Sequence, residues 1–292
     1  VTDAGILSLT ERRQPARRLL LAIVHGLVLV GIGIAGLGPL LWLVAASLGG
    51  TQDVLRDPLG VFWRMGQWEN YAIAFQGVDT GRLLLNTVLV AGGSALATVV
   101  VALSSGYVIA VLRPRWAPLL SGAVLATIFL PGIVSLVPLY LTVIDVFGTG
   151  ISLQNTFWAV WLPAGANAFS VLLVTGYLRS VPREIIEAAE IDGAGALRIL
   201  WNVVLPLARP ILGVVALLAS IGAWKDYLWP SLVLSNPDLR PISVALPLIE
   251  RSTELSTFFA VLVVASLVPI GLFLIFQKPL LAGAGLSAGL KD

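Results

Sequence analysis

No cysteine occurs in this 292-residue chain, histidine and methionine occur once each, and only 12% of the residues are charged. Without cysteine there is no disulfide, no thiolate metal site and no thiol nucleophile. The single His25 sits in an apolar run, so one chain cannot assemble a histidine-rich metal cluster or a Ser-His arrangement. No pair of aspartates is placed for acid-base work within the apolar segments, which removes the usual intramembrane enzyme. Soluble domains carry nearer a quarter charged residues, and this chain falls well short. The formal net charge is only +2, and no basic patch is interleaved with aromatics, so nothing points to nucleic acid. No G-x-x-x-x-G-K-[ST] phosphate-binding segment is present.

The chain is instead rich in apolar length. It is 58% hydrophobic, with mean hydropathy +0.94. Uncharged runs cover 19–52, 83–112, 116–144, 146–178, 210–224 and 255–277. A helix needs about 20 residues to cross about 30 Å of hydrocarbon. Every run meets that length except the fifth, which must continue through Lys225-Asp226 into 227–234. The expected fold is all-α, a polytopic membrane protein with six transmembrane helices. Residues 1–18 form a polar tail, 19–278 the six-span membrane domain with a loop at 180–209, and 279–292 a second tail. The run from Leu19 is too long for a signal-peptide core of about 7–15 residues, so it reads as an uncleaved anchor despite Ala45-Ala46-Ser47. His25, in the inner half of that span, reads as a buried neutral imidazole.

Orientation follows from lysine and arginine. With both termini inside, the cytoplasmic side holds Arg12, Arg13, Arg17, Arg18, Arg113, Arg115, Arg179, Arg183, Arg198, Arg209, Lys278 and Lys291. The outer side holds Arg56, Arg64, Arg82, Lys225, Arg240 and Arg251, so 12 of the 18 basic residues lie inside. The expected location is a cell membrane, spanned several times, with both ends in the cytoplasm.

The segment R-E-I-I-E-A-A-E-I-D-G-A-G-A-L-R-I-L-W-N-V-V-L-P-L-A-R-P, from Arg183 to Pro210, is too polar to lie in lipid. Pro182 suits a first helical turn, and Glu184 in that turn favours the helix dipole. Glu184, Glu187 and Glu190, spaced by three, line one flank. Gly193 can close the helix in the left-handed region. A second short helix is expected over about 196–205, with Pro206 and Pro210 punctuating the return to the bilayer. Ala188 and Ala189 permit close approach of another surface, and the acids offer charge-assisted hydrogen bonds to it. A solvated amphipathic loop resting on the membrane is the alternative.

Within the spans, Lys225 and Asp226 lie about 22 Å along a helix from Pro210. Ionisable groups at such depth face a cavity or a partner, or snorkel to the interface beside Trp224 and Trp229. Pro131-Gly132 and Pro138 interrupt the third run. Asn155, Gln154 and Asn167 could bind a solute or join helices. Asn86-Thr87 and Ser104-Ser105-Gly106 read as helix packing.

The pattern E-A-A-x-x-D-G-A followed by L-P-x-x-x-P, on Glu187, Ala188, Ala189, Asp192, Gly193, Ala194, Leu205, Pro206 and Pro210, resembles the EAA loop of binding-protein-dependent ABC importer permeases. Further stretches, L-P-G-I-V-S-L-V-P-L-Y-L at 130–141, Asn155-Thr156, W-K-D-Y-L-W-P at 224–230, and Gln277-Lys278 with G-L-S-A-G-L-K at 285–291, resemble MalG-type permeases of carbohydrate importers. The resemblance implies a type I importer membrane domain whose loop is a coupling helix seated on an ATPase subunit. Glu184, Glu187, Ala188, Ala189, Asp192, Gly193, Ala194, Leu205 and Pro206 would form that contact. Gln277, Lys278 and Lys291 would reach the ATPases through the tail. Lys225, Asp226 and Asn155 would line the path or meet the binding protein. Partners would be a second permease, two ATP-binding subunits and an extracytoplasmic sugar-binding protein, with ATP and Mg held by the ATPases and no cofactor by this chain. A small hydroxyl residue often follows D-G-A in that family. Here it is Gly195, a weaker N-cap than serine. A permease for polyamines or phosphonates shares the loop. An ion-coupled secondary transporter would call for inverted repeats and midplane ionisable groups, which the sequence lacks apart from Lys225-Asp226.

Overall fold

A computed structural model describes the backbone of residues 15–288 and the side chains of residues 19–274. Among these the regular structure is helical, without strands. Four helices are long and apolar enough to span a membrane: Leu19–Ser47, Thr80–Leu112, Ala196–Lys225 and Leu255–Leu274. Two further spans are helix pairs. Ala117–Ile128 and Gly132–Ile144 (α5 and α6) bend by 109°, and Trp158–Gly165 and Ala168–Arg179 (α7 and α8) bend by 46°. Counting each pair as one gives six spans in a multi-pass membrane protein.

The breaks have local causes. Pro131 disfavours the helical region for Leu130, and α5 ends in tight turns, Phe129 N–H to Ala126 and Leu130 N–H to Thr127, both 3.2 Å. Between α7 and α8 the chain unwinds at Ala166, and the Asn167 side chain caps α8 by accepting the Ser170 N–H at 2.9 Å.

The described chain forms two compact units. One contains α1 (Pro15–Ser47), α2 (Thr51–Arg56), most of α3 (Glu69–Gln76) and the start of α14 (Leu255–Ala288). Its core is Ala45, Ala46, Val54 and Val61, flanked by Trp42 and Phe259 in edge-on contact at 5.5 Å. The buried Asn70 amide donates to the Ser47 and Gly49 carbonyls at 2.9 and 3.2 Å. Most of α1 is exposed in the single chain, His25 included. The expected burial of that imidazole is not met among the described residues, none of which covers this stretch of α1.

The second unit is built around α4 (Thr80–Tyr107), which packs on α7, α8 and α11 (Leu205–Lys225). Gly106 permits this approach, since a Cβ there would stand 3.0 Å from Val174 Cγ1 and 3.3 Å from the Thr175 nitrogen. Asn86 and Thr87 pin the 238–242 segment to α4. The buried Asn86 amide donates to the Asp238 and Arg240 carbonyls at 2.8 and 3.0 Å, and Thr87 Oγ1 accepts the Ile242 N–H at 2.9 Å. Asn86→Leu should therefore cost about 2 kcal/mol by orphaning two carbonyls. Thermal unfolding in detergent checks this, and an unchanged midpoint would show that water satisfies those groups.

The fifth span departs from expectation at both ends. It does not continue past Lys225. It gains its length on the other side, where α10 (Ala196–Ile199), a π turn (Leu200–Val204) and α11 run without a break. Pro206 and Pro210 do not end the helix. The Leu205 N–H bonds the Leu200 carbonyl, five residues back, and this widened turn directly precedes the proline that cannot donate.

Candidate coupling surface

The helix α9 (Arg183–Ile191) begins after Pro182, which takes the N-cap rather than the first helical position, and Glu184 falls in its first turn. Its inner face is Ile186 and Ala189, packed with Ala194 against a core of Ala110, Leu178, Val204 and neighbours. Two tyrosines fasten this region to the membrane helices. Tyr107 OH donates to the Ala196 carbonyl at 2.8 Å, and Tyr177 OH to the Leu207 carbonyl at 3.1 Å.

The helix closes in a Schellman motif. The Ala194 N–H bonds the Ala189 carbonyl and the Gly193 N–H bonds the Glu190 carbonyl, both at 3.0 Å, with Gly193 at φ +76°. Ala189 and Ala194 supply the apolar contact that accompanies this motif. Asp192 is the exposed C-cap residue. The next helix starts directly at Gly195, whose carbonyl accepts the Ile199 N–H at 3.0 Å, with no side-chain cap.

The three acids do not share one environment. Glu187 and Glu190, with Arg183, line a groove closed on the other side by Arg113, Val181 and Leu207, about 650 Å³ including its open mouth. Glu184 lies outside it. None of the ion pairs among the described residues involves these groups. Their charges are therefore available to a partner.

The sequence argument passed over the apolar part of this surface. Ile191 is 86% exposed, Leu197 72% and Trp201 60%, and Ala188 is exposed as well. The pattern held a signal for Ile191: in a segment expected to lie in water, it falls off the face of α9 that carries Ile186 and Ala189. Three apolar side chains projecting around a fixed turn, bordered by unpaired carboxylates, have the character of an interface centre with a polar rim. Leu205 packs against the core, and Pro206 sits in the first turn of α11.

The remaining predicted residues lie elsewhere. Lys225 is exposed at the last turn of α11. Asp226 does not pair with it; its carboxylate accepts the Trp229 N–H at 3.3 Å at the start of α12 (Leu228–Val233). Asn155 adopts φ +57°, and its Oδ1 accepts from Ser235 Oγ and the Asn236 N–H at 3.0 and 2.8 Å. This favours joining of segments over solute contact for that oxygen. Gln277 and Lys278 are on α14 with side chains outside the described ones, and Lys291 lies outside the described residues.

Residues 98–282, which include the whole coupling region, match the family described as binding-protein-dependent transport system inner membrane component. The chain belongs to that family. Like other members of this inner membrane component family, it is a transport subunit. Among its relatives are the sn-glycerol-3-phosphate transport system permease protein UgpE of Agrobacterium fabrum, 28% identical over 85% of this chain and 86% of that protein. The melibiose/raffinose/stachyose import permease protein MelC of Bacillus subtilis is 29% identical over 76% and 80%. The diacetylchitobiose uptake system permease protein NgcG of Streptomyces coelicolor is 28% identical over 88% and 85%. The fold matches a crystal structure of a bacterial ABC transporter involved in import of the acidic polysaccharide alginate, with TM-score 0.76 and 20% identity over 94% of this chain and 99% of that one.

Proposed function

We infer that this chain is a permease subunit of an ATP-driven, binding-protein-dependent importer of sugars. Relatives of this inner membrane component family named for melibiose, raffinose, stachyose and diacetylchitobiose support carbohydrate as the solute class. The observation that carries the coupling role is the apolar projection of Ile191, Leu197 and Trp201 around the Gly193 turn. Water does not stabilise such a patch, and lipid does not suit its rim of acids. A cytoplasmic ATPase subunit with an apolar cleft and basic rim fits both. Glu184, Glu187 and Asp192 are then the charged rim, and Ala188 allows close contact. Two ATPase subunits bind ATP and Mg, a second permease completes the membrane path, and an extracytoplasmic protein delivers the sugar. Both termini are cytoplasmic, and the tail with Gln277, Lys278 and Lys291 reaches toward the ATPases. Exposed apolar residues along α1 and the other spans are covered by lipid and the second permease.

The absence of cysteine makes a direct test simple. Ile191→Cys should react with a membrane-impermeant maleimide in inside-out vesicles and not in intact cells. Co-expressed ATPase subunits should slow that labelling about tenfold. Labelling from outside the cell, or no protection by the ATPases, would end this reading.

A further inference from the structure

A second concavity lies toward the far end of the fifth span from the coupling surface. It opens where α7 gives way to α8 and α11 to α12, and it encloses about 860 Å³ including its mouth. Its interior cavity volume, about 330 Å³, is at the lower end of the roughly 300–1,000 Å³ of ligand pockets, which are mostly apolar with a few polar groups. Its polar lining is Ser94, Thr98, Asn167, Ser170 and Asp226, beside the rings of Phe169 and Trp229.

The hydrogen-bond state of these groups is specific. Ser94 is 1% exposed, and its Oγ has no partner. An orphaned buried hydroxyl is costly, and a ligand hydroxyl would satisfy it once rotation of the Ser94 side chain turns its Oγ, closed to water in this structure, into the cavity. Thr98 Oγ1 is spent on the Ser94 and Ala164 carbonyls at 2.8 and 2.9 Å. Asn167 uses only its oxygen, for the α8 cap, which leaves an amide N–H₂ to donate. Asp226 has spare acceptor capacity beyond the Trp229 N–H. The Trp229 indole is held in place by its Nε1–H to the Ala159 carbonyl at 3.0 Å, so it offers a fixed apolar surface. No lysine or arginine is among the residues lining the cavity.

We propose that this cavity is a solute subsite for an uncharged saccharide ring, and that it discriminates against phosphorylated and other anionic solutes. The proposal rests on the import reading above and narrows it. A saccharide presents alternating hydroxyls, which both donate and accept, around a C–H-rich ring. The lining supplies the Ser94 hydroxyl, the Asn167 amide, the Asp226 carboxylate and two aromatic surfaces. An anion would meet Asp226 in a low-dielectric site with no lining cation to offset the repulsion. A polyamine would find one carboxylate, already hydrogen-bonded, where several are needed. Relatives named for sn-glycerol 3-phosphate and for neutral oligosaccharides stand at nearly the same identity, so overall similarity does not decide between them. The charge of this cavity does.

The test uses the assembled transporter in nanodiscs, without the binding protein, titrated with radiolabelled melibiose, raffinose and diacetylchitobiose. Unlabelled sn-glycerol 3-phosphate and spermidine serve as competitors. At least one neutral saccharide should bind. Ser94→Val and Asn167→Thr, which keeps a capping oxygen and removes the amide donor, should each weaken binding three- to tenfold, Trp229→Ala more than tenfold, and neither competitor should displace the sugar. Trp229→Ala also removes a packing contact, so the smaller variants carry the decision, with ATPase co-purification as the check on assembly. Failure of the wild-type chain to recruit ATPases defeats the import reading. Normal recruitment with no bound saccharide, with binding indifferent to Ser94 and Asn167, or with displacement by sn-glycerol 3-phosphate or spermidine, defeats this proposal alone.

Discussion

Gly193→Val is expected to reduce coupled solute uptake at least tenfold, Gly193→Ala about threefold, and Gly193→Asn hardly at all. The order follows from the backbone. Gly193 stands at φ +76°, and a Cβ built there would meet nothing within 4 Å. No clash with neighbouring groups is involved. The penalty is the intrinsic cost of the left-handed region, about 1–2 kcal/mol for an ordinary L residue and more for a β-branched one. Asparagine tolerates that region and serves as a natural C′ residue. A strained turn would relax by giving up the hydrogen bonds from Ala194 to Ala189 and from Gly193 to Glu190. Ile191 and Leu197, on either side of the turn, would then lose their fixed spacing. The defect should appear in ATPase recruitment and uptake while membrane insertion stays normal. Equal activity of the valine and asparagine variants would remove the turn from the coupling argument.

Much of this architecture is legible in the residues, and the parts that are not have definite causes. The runs of uncharged residues place the spans because lipid excludes charge over about 20 residues. Glu187-Ala188-Ala189 and Asp192-Gly193 place the turn because glycine after a polar C-cap ends a helix. Proline was the misleading signal. Read by rule, Pro206 and Pro210 close the second loop helix. In the structure the π turn at Leu200–Val204 accommodates Pro206, and the helix from Ala196 reaches Lys225. At Pro131 the interruption read from the sequence is a turn of 109°. Local composition does not distinguish a tolerated proline from a break; the packing of neighbouring helices does. Asn167 and Asp226 are each legible as solute-facing candidates, but their meeting with Ser94 and Trp229 is not, since breaks between helices bring these residues together.

The corrected fifth span has a mechanical consequence. Thirty residues of helix extend about 45 Å, with Leu197 and Trp201 near one end and Gly222, lining the solute cavity, near the other. A helix interrupted at Pro206 would have absorbed movement of the loop as bending. A continuous one transmits a tilt at the coupling surface to the cavity wall. The buried contacts of Val204, Ala208, Leu212 and Val215 with α4 and α8 are the pivot about which it would turn.

The largest single effect is expected from Glu187→Lys, with uptake and solute-stimulated ATP hydrolysis falling about 100-fold. Glu187 is exposed, lines the groove beside Glu190, Arg183 and Arg113, and makes none of the ion pairs among the described residues. Its carboxylate therefore contributes little to the stability of the isolated chain, and the thermal midpoint should stay the same. In the assembled transporter it would accept a charge-assisted hydrogen bond from a basic residue of the ATPase. Reversal replaces that attraction with repulsion at a desolvated contact, a loss of about 3 kcal/mol, which is about 100-fold in affinity. Glu187→Gln keeps the shape and an acceptor oxygen, and should cost about tenfold. Glu190→Lys is the comparison that assigns direction. Glu190 lines the same groove within electrostatic reach of Tyr107, whose hydroxyl holds the Ala196 carbonyl, so its reversal should act chiefly on the fold of the loop and lower the thermal midpoint. Normal ATPase co-purification with Glu187→Lys would show that the docking contact lies elsewhere. A fall in its thermal midpoint matching that of Glu190→Lys would assign Glu187 to the loop's own stability.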